Sequence, residues 1–380
     1  MYLANLKLTN FKTYADLDVD FCGNVNCLVG NNGVGKTNLL DAVYYLSFSK
    51  SFFNPIDSQN IRVGEDFFAV HGKYAMAEEE ALVSCIQRHG QTKQMRWNKK
   101  VYKKLGEHIG KIPLVIISPN DQSIIQGGSD GRRRFIDGVI SQTDRGYLEH
   151  LLQYQKALEQ RNRLLKQMYE DRAWDEASLQ VWDDQLVRHG EEVYAGRAAF
   201  MEAFMPLFDY YYNWITNSSE EAVVQYERNR EEGLQQQLLA ARRDDRYALF
   251  TTVGPHKDDI EMKIGEMSVK RYGSQGQQKT FVLALKLAQF EYIYQKCGIK
   301  PILLLDDIFD KLDMPRVKQL VDLVGSDRFG QVFLTDTQPG RVERIFDELP
   351  NVEHRIFEVK KGELNVRQPL KLTQNEIYIT

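Results

Sequence analysis

The sequence predicts an α/β protein in which mixed and antiparallel sheets carry helices and a helical arm is inserted. Three observations predict it. Short apolar runs of strand length end on a glycine-rich loop ("VNCLVG", Val25 to Gly30) or on two acids ("PILLLDD", Pro301 to Asp307). Between them lies a polar helical block with leucines seven residues apart. The α/β pattern then returns. The expected division is 1–128 for the N-terminal part of the head, 129–246 for the arm and 247–380 for the C-terminal part of the head.

The elements follow in order. "MYLANLKLTNF" alternates apolar and polar residues, as a strand does, and lacks the apolar core of a signal peptide. "TNLLDAVYYLSF" places Leu39, Leu40, Val43 and Leu46 at helical spacing. "FFAVHGKYAM", "ALVSCIQRHG" and "TKQMRWNKKVY" read as antiparallel strands between polar turns, and "PLVIISP" as a buried strand. From Tyr147 to Glu170 the chain is helical, with Leu151, Leu158 and Leu165 in one seam, Tyr154 and Met168 beside it, and Arg161 interrupting it. A second helix carries Leu179, Trp182, Leu186 and Val193, and "YEDRAWDEAS" is the turn between the two. The hairpin is too short for a long coiled coil, and its seam is expected to be core between its helices. "ALFTTVGPHKDDIEM" resumes the α/β pattern. "RYGSQGQQKTF" is a glycine-broken turn that opens a helix with the apolar face Phe281, Ala284, Leu285, Ala288 and Tyr292. "QVFLTDT" is a last buried strand.

With 380 residues and 43% hydrophobic content, the chain is long enough for one large domain or two modest ones. No run has the length of a membrane-spanning helix, so the expectation is a cytoplasmic protein with no membrane partner. The net charge of −4 means that any nucleic-acid binding must come from local patches and be sensitive to salt. Cys22, Cys27, Cys85 and Cys297 form no zinc spacing and read as structural thiols.

"GNNGVGKT" (Gly30, Asn31, Asn32, Gly33, Val34, Gly35, Lys36, Thr37) matches the phosphate-binding pattern G-x4-G-K-[ST]. Its glycines let backbone N–H groups wrap phosphates. Lys36 neutralises the β- and γ-phosphates, and Thr37 reaches Mg²⁺. A strand before the loop and a helix after it are the context this chemistry requires. "ILLLDD" supplies the acids: Asp306 would hold Mg²⁺ through water, and Asp307 would polarise the attacking water. Lys36, Asp306 and Asp307 are therefore the candidate catalytic residues. Ser274 and Gly276, far away in sequence, open a helix where a second anion would sit, without a lysine.

The order of these motifs resembles the ABC-type ATPases, and the long interval with its helical hairpin is similar to the SMC-like heads of DNA repair. Within them, "SPNDQSIIQGGSDGRRRFIDG", "YQKALEQRNRLLK", "GPHKDDI" and "LLLDDIFDKLD" resemble the RecF family of bacterial recombination mediators, over nearly the whole chain. The resemblance implies an ABC-ATPase-type head and a homodimer formed with ATP and Mg²⁺. Each ATP would lie between one P-loop and the Ser274, Gln275, Gly276 and Gln277 segment of the other subunit. It implies slow, DNA-stimulated hydrolysis that releases the dimer. It also implies binding at junctions of single- and double-stranded DNA, with RecO and RecR as partners that help RecA displace single-strand-binding protein. Asp313 would be the D-loop acid, although Asp310 and Lys311 depart from the family pattern, as Asn120 and Ser129 do elsewhere. Thr335-Asp336-Thr337 stands where ABC transporters usually have a histidine.

Several residues keep two readings. Lys12 is a nucleotide contact or an exposed lysine at a strand end. Lys99, Lys100, Lys103 and Lys104, around Tyr102, are phosphate contacts on a hairpin or a solvated basic face. Arg132, Arg133 and Arg134 either contact DNA or bridge to the acid-rich arm. His256 is a structural cap or a residue near the dimer face. The rival functions are another SMC-like ABC-type switch without a DNA-loading role, a transporter ATPase subunit, a general P-loop kinase or GTPase, and a binding module with a vestigial ATPase. No N-K-x-D guanine motif is present, the insertion is long for a transporter subunit, and Lys36, Thr37, Asp306 and Asp307 are all intact.

Overall fold

A computed structural model describes residues 1–77, 79–229, 232–308, 323, 328–347 and 352–367. Strands β1 (Tyr2–Phe11) and β2 (Tyr14–Asp20) form a hairpin, and β3 (Val25–Val29) leads through the glycine loop into helix α1 (Lys36–Phe48). Strands β4 (Phe67–Ala75), β5 (Glu80–Arg88), β6 (Gln94–Trp97) and β7 (Lys100–Val101) follow, then β8 (Leu114–Ile117). The helical block comprises α2 (Ser123–Gln126), α3 (Ser129–Thr143), α4 (Arg145–Glu170) and α5 (Glu176–Thr216). Strand β9 (Ala222–Glu227), helix α6 (Leu234–Ala248), strands β10 (Asp259–Ile264) and β11 (Met267–Ser268), and helices α7 (Val269–Tyr272) and α8 (Gln275–Cys297) come next. Strands β12 (Ile302–Leu305), β13 (Val332–Asp336), β14 (His354–Lys360) and β15 (Glu363–Arg367) complete the described elements, with a helix over Pro339–Asp347.

Among the described residues these strands make an antiparallel sheet in the order β2-β1-β4-β5-β6-β7, a three-stranded sheet β11-β10-β9, and a mixed sheet β15-β14-β3-β13-β12-β8. In the mixed sheet β14, β3, β13, β12 and β8 run parallel, and β15 is antiparallel to β14. The mixed sheet is the middle layer. Leu28, Ile116, Leu304 and Phe333 face α1 and the antiparallel sheet, while Cys27, Val115, Leu303 and Leu334 face α3, α5 and α8. A strand covered on both faces reads as a continuous apolar run, which explains "ILLL" and "VNCLV". The alternating pattern of β1 marks a sheet with one open face.

The arm does not stand apart from the head. Helix α5 is 41 residues long: its first half lies on α4, and its second half enters the head. There Phe208 meets Phe281 at 4.9 Å between ring centroids, and Phe200 meets Tyr292 at 4.9 Å. Strand β9, inside the expected arm, pairs along its length with β10. Sequence reasoning read no strand there. Leu151, Tyr154, Leu165 and Met168 are buried in the α4 seam as expected. Arg161 does not break the seam but lies in it, fully buried, with its guanidinium 2.6 Å from both Asp183 of α5 and Asp245 of α6. The four cysteines are free thiols, three of them buried. No helix among the described residues is long and apolar enough to cross a membrane.

Candidate nucleotide site

The P-loop leaves the end of β3 and closes on the first turn of α1. Its curve admits no side chain at two points. A Cβ on Gly30 would lie 2.6 Å from the carbonyl oxygen of Val359, and one on Gly35 (φ +116) would lie 2.9 Å from Oγ1 of Thr13. Tyr14 fixes the loop further, its hydroxyl donating to the Gly35 carbonyl at 3.1 Å. The buried Lys36 ammonium lies inside the curve and donates to the carbonyls of Gly30 at 2.6 Å and Asn31 at 2.9 Å. Asn31, Asn32 and Gly33 are exposed on the outer side.

Asp306 follows β12 and meets Thr37 at the start of α1. The Thr37 hydroxyl is 3.0 and 3.2 Å from the two carboxylate oxygens. A third residue completes this arrangement. Thr335 of β13 donates its hydroxyl to Asp306 Oδ1 at 2.9 Å and accepts the N–H of Asp307 at 2.8 Å. The strand order explains it: β13 lies between β3 and β12, and Leu334 pairs with Leu305. The next residue on each strand then meets across the gap. In the sequence Thr335 stands out only as the place where a histidine is absent; its contact with Asp306 depends on strand order, which motif spacing does not carry. Burial raises the pKa of Asp306, with the neighbouring Asp307 adding to it, and the hydrogen bonds from Thr335 and Thr37, with the Lys36 charge, oppose the rise. Asp307 itself has φ +48, a left-handed conformation uncommon outside glycine. Hydroxyl and carboxylate oxygens are the hard donors that magnesium takes, so Thr37 and Asp306 fit that ion. No cluster of three or more His, Cys, Asp or Glu side chains among the described residues suggests another metal.

Lys12 corrects one of its two readings, that of an exposed lysine at a strand end. Its side chain is 13% exposed and its ammonium lies 2.5 Å from the buried carboxylate of Asp41 on α1. It still lines a cavity beside the loop with Thr13, Gly33 and Val34.

Ser274 is the N-cap of α8. Its Oγ accepts the Gln277 N–H at 3.2 Å, and its own N–H donates to Gln277 Oε1 at 2.9 Å, the reciprocal pair of a capping box. Ser274 and Gln275 are exposed, and no bond of Ser274 or Gln277 reaches the P-loop of the same chain. Gln275 and Asp307 both line a cavity of about 360 Å³. Asp310, Lys311 and Asp313 lie outside the described residues.

The arginine triplet is corrected in part. Arg132 holds both oxygens of Asp259 on β10, at 2.7 and 2.9 Å, and Arg133 donates to the carbonyl of Asp258. Both partners lie in "GPHKDDI" rather than in the acids of the arm: a carboxylate for Arg132 and a backbone carbonyl for Arg133. Arg134 is exposed and pairs with Asp130 one turn earlier. His256 is structural. Its Nδ1 accepts the Tyr154 hydroxyl at 2.7 Å, and its Nε2–H donates to the Thr251 carbonyl at 3.0 Å. Lys99, Lys100, Lys103 and Lys104 are all exposed. Lys104 also shares a groove with Arg145 of α4 and Arg188 of α5, where head meets arm.

The RecF/RecN/SMC N terminal domain model matches residues 2–361. A protein of Phocaeicola vulgatus named DNA replication and repair protein RecF is 46% identical over 373 residues, covering 97% of this chain and 100% of the relative. One of the same name from Flavobacterium johnsoniae is 45% identical, covering 91% and 96%. Among solved structures, the recombination mediator protein RecF with ATP, described in the RecFOR pathway, aligns with a TM-score of 0.88 at 30% identity, covering 97% of this chain and 98% of that one. The Smc head domain of Pyrococcus furiosus aligns at 0.55 and 16% identity, a likeness of fold.

Proposed function

The chain belongs to the RecF/RecN/SMC N-terminal domain family, and from that premise we propose that it is an ATP-gated homodimer acting as a recombination mediator on DNA. The single observation that carries the reading is the pairing of a complete half-site with a displaced one. Lys36, Thr37, Asp306 and Thr335 converge, while the exposed Ser274 cap bonds nothing in its own P-loop. A second subunit is the natural source of the missing half.

In this reading the backbone N–H groups of Gly30 to Lys36 and the Lys36 ammonium hold the β- and γ-phosphates. Magnesium, held by Thr37 and Asp306, would supply positive charge to the same oxygens. Asp307 accepts a proton from the attacking water, and its orientation is held through the Thr335 bond. Across the interface, the Ser274 hydroxyl and the first N–H groups of α8 meet the γ-phosphate. The γ-phosphate then bridges two subunits, and slow hydrolysis removes the bridge.

DNA binding with the ATP dimer, preference for gapped or junction DNA, cooperation with RecO and RecR, and indirect action on RecA belong to the same proposal. Support comes from the relatives' names and from exposed Lys99, Lys100, Lys103 and Lys104, the last sharing its groove with Arg145 and Arg188. The test is mass in solution by light scattering, without nucleotide and with ATP and magnesium, using Asp307→Asn to slow hydrolysis. Doubling with ATP, lost in Asp307→Asn/Ser274→Arg while ATP still binds, is the expected result. A chain that binds ATP and stays a monomer, with and without gapped DNA, overturns the reading.

A further inference from the structure

We propose that Glu220 is a positioning residue for the trans nucleotide site: its carboxylate fixes the amide of Gln277 and so holds the Ser274 cap in its phosphate-ready form. The inference rests on the dimer reading above. Glu220 is half-buried in the loop between α5 and β9, 57 residues before Gln277 in sequence. Its Oε1 accepts Gln277 Nε2–H at 2.9 Å, and its Oε2 accepts the hydroxyl of buried Tyr212, on α5, at 2.9 Å.

The chemistry of the groups sets the direction of the chain of bonds. An ionised carboxylate only accepts, so it selects the NH₂ end of the Gln277 amide. The Oε1 end must then face the Ser274 N–H, which it accepts at 2.9 Å. Gln277 N–H in turn donates to Ser274 Oγ at 3.2 Å. Because that oxygen is already an acceptor toward its own helix, its O–H proton is free to point outward as a donor. Without Glu220 the Ser274 N–H alone selects the amide orientation and the Nε2 end loses its anchor, so the Gln277 side chain leaves the cap more readily. A carboxylate beside an anion-binding turn also repels the anion. Anchoring the amide is the compensating role that its two hydrogen bonds supply.

The experiment compares wild type, Glu220→Ala, Glu220→Gln and Tyr212→Phe, all carrying Asp307→Asn. It measures the protein concentration for half-dimerisation with ATP and magnesium, the affinity of the monomer for a fluorescent ATP analogue, and the melting temperature. We expect Glu220→Ala to raise the half-dimerisation concentration about tenfold, with nucleotide affinity unchanged. Glu220→Gln still offers an oxygen to Gln277 and should restore dimerisation to within about twofold of wild type. Tyr212→Phe should give a smaller shift in the same direction and serves if Glu220→Ala fails to fold. Dimerisation of Glu220→Ala at the wild-type concentration overturns the inference alone, as does a Gln variant as defective as the Ala variant. If the wild-type background never dimerises with ATP, the trans-site reading falls and this inference falls with it.

Discussion

The hydroxyl of Thr37 lies 3.0 Å from Oδ1 of Asp306, although 269 residues separate them in the chain. Two parallel strands and the one between them bring the pair together. Strand β3 delivers the P-loop, β12 delivers the acid, and β13 places Thr335 in the gap.

Thr335→Val is expected to slow ATP turnover more than it weakens ATP binding. The valine keeps the volume but leaves a buried carboxylate oxygen and the Asp307 N–H without this partner. Leaving such a group unpaired costs about 1–3 kcal/mol. Steady-state turnover, nucleotide affinity and urea midpoints separate the two effects. Equal losses in turnover and affinity would argue against a role specific to Asp307.

Arg161→Ala should destabilise the chain by about 3–5 kcal/mol, because removing one partner strands buried opposite charges. The charges left are Asp183 and Asp245, each 2.6 Å from the guanidinium. Urea unfolding followed by circular dichroism measures it. A loss below about 1 kcal/mol would place the arm's stability in its apolar seam instead.

Acid should weaken the fold through two buried histidines. Burial pushes the pKa of His108 down from 6.5 to about 4, and that of His256 likewise to about 4. Both are held neutral, with Nε2–H donated to a backbone carbonyl and a tyrosine hydroxyl given to Nδ1. Below pH 6.5 the unfolded chain takes up protons that the folded chain refuses, so stability is present above 6.5 and falls toward pH 4. The urea midpoint measured from pH 7.5 to 4.5 should show this slope, less steep by about one proton in His108→Gln. An unchanged slope in that variant would remove His108 from the account.

Replacing Lys99, Lys100, Lys103 and Lys104 by glutamine should weaken ATP-dependent DNA binding and lower its salt slope by about one for each phosphate that is no longer neutralised. Arg132→Ala should lower stability through Asp259 and leave the salt slope unchanged. The reverse pattern would return the DNA surface to the arginine triplet.

Motif chemistry was legible in the sequence because it is local. A phosphate loop needs glycines, a lysine and a threonine at fixed spacing, and "GNNGVGKT" folds into that loop wherever a strand precedes it and a helix follows. The apolar runs that became β3, β8, β12 and β13 were equally readable, since strands buried on both faces have no polar side to hide. The identity of basic residues was not so readable. Lys99 and Arg132 look alike as letters, and only their surroundings make one a solvated cation and the other a clamp on Asp259.

By itself the sequence determined the phosphate chemistry, the acid-ended strand, the serine cap and the family resemblance. Tertiary structure alone decided that Arg161 is a buried partner rather than a break, that Lys12 answers to Asp41, that Thr335 joins the two acids and that Glu220 holds Gln277. The physical reason is range. Loops and caps are fixed by neighbours a few residues away, whereas each of these pairings depends on strand order and helix packing that join distant parts of the chain.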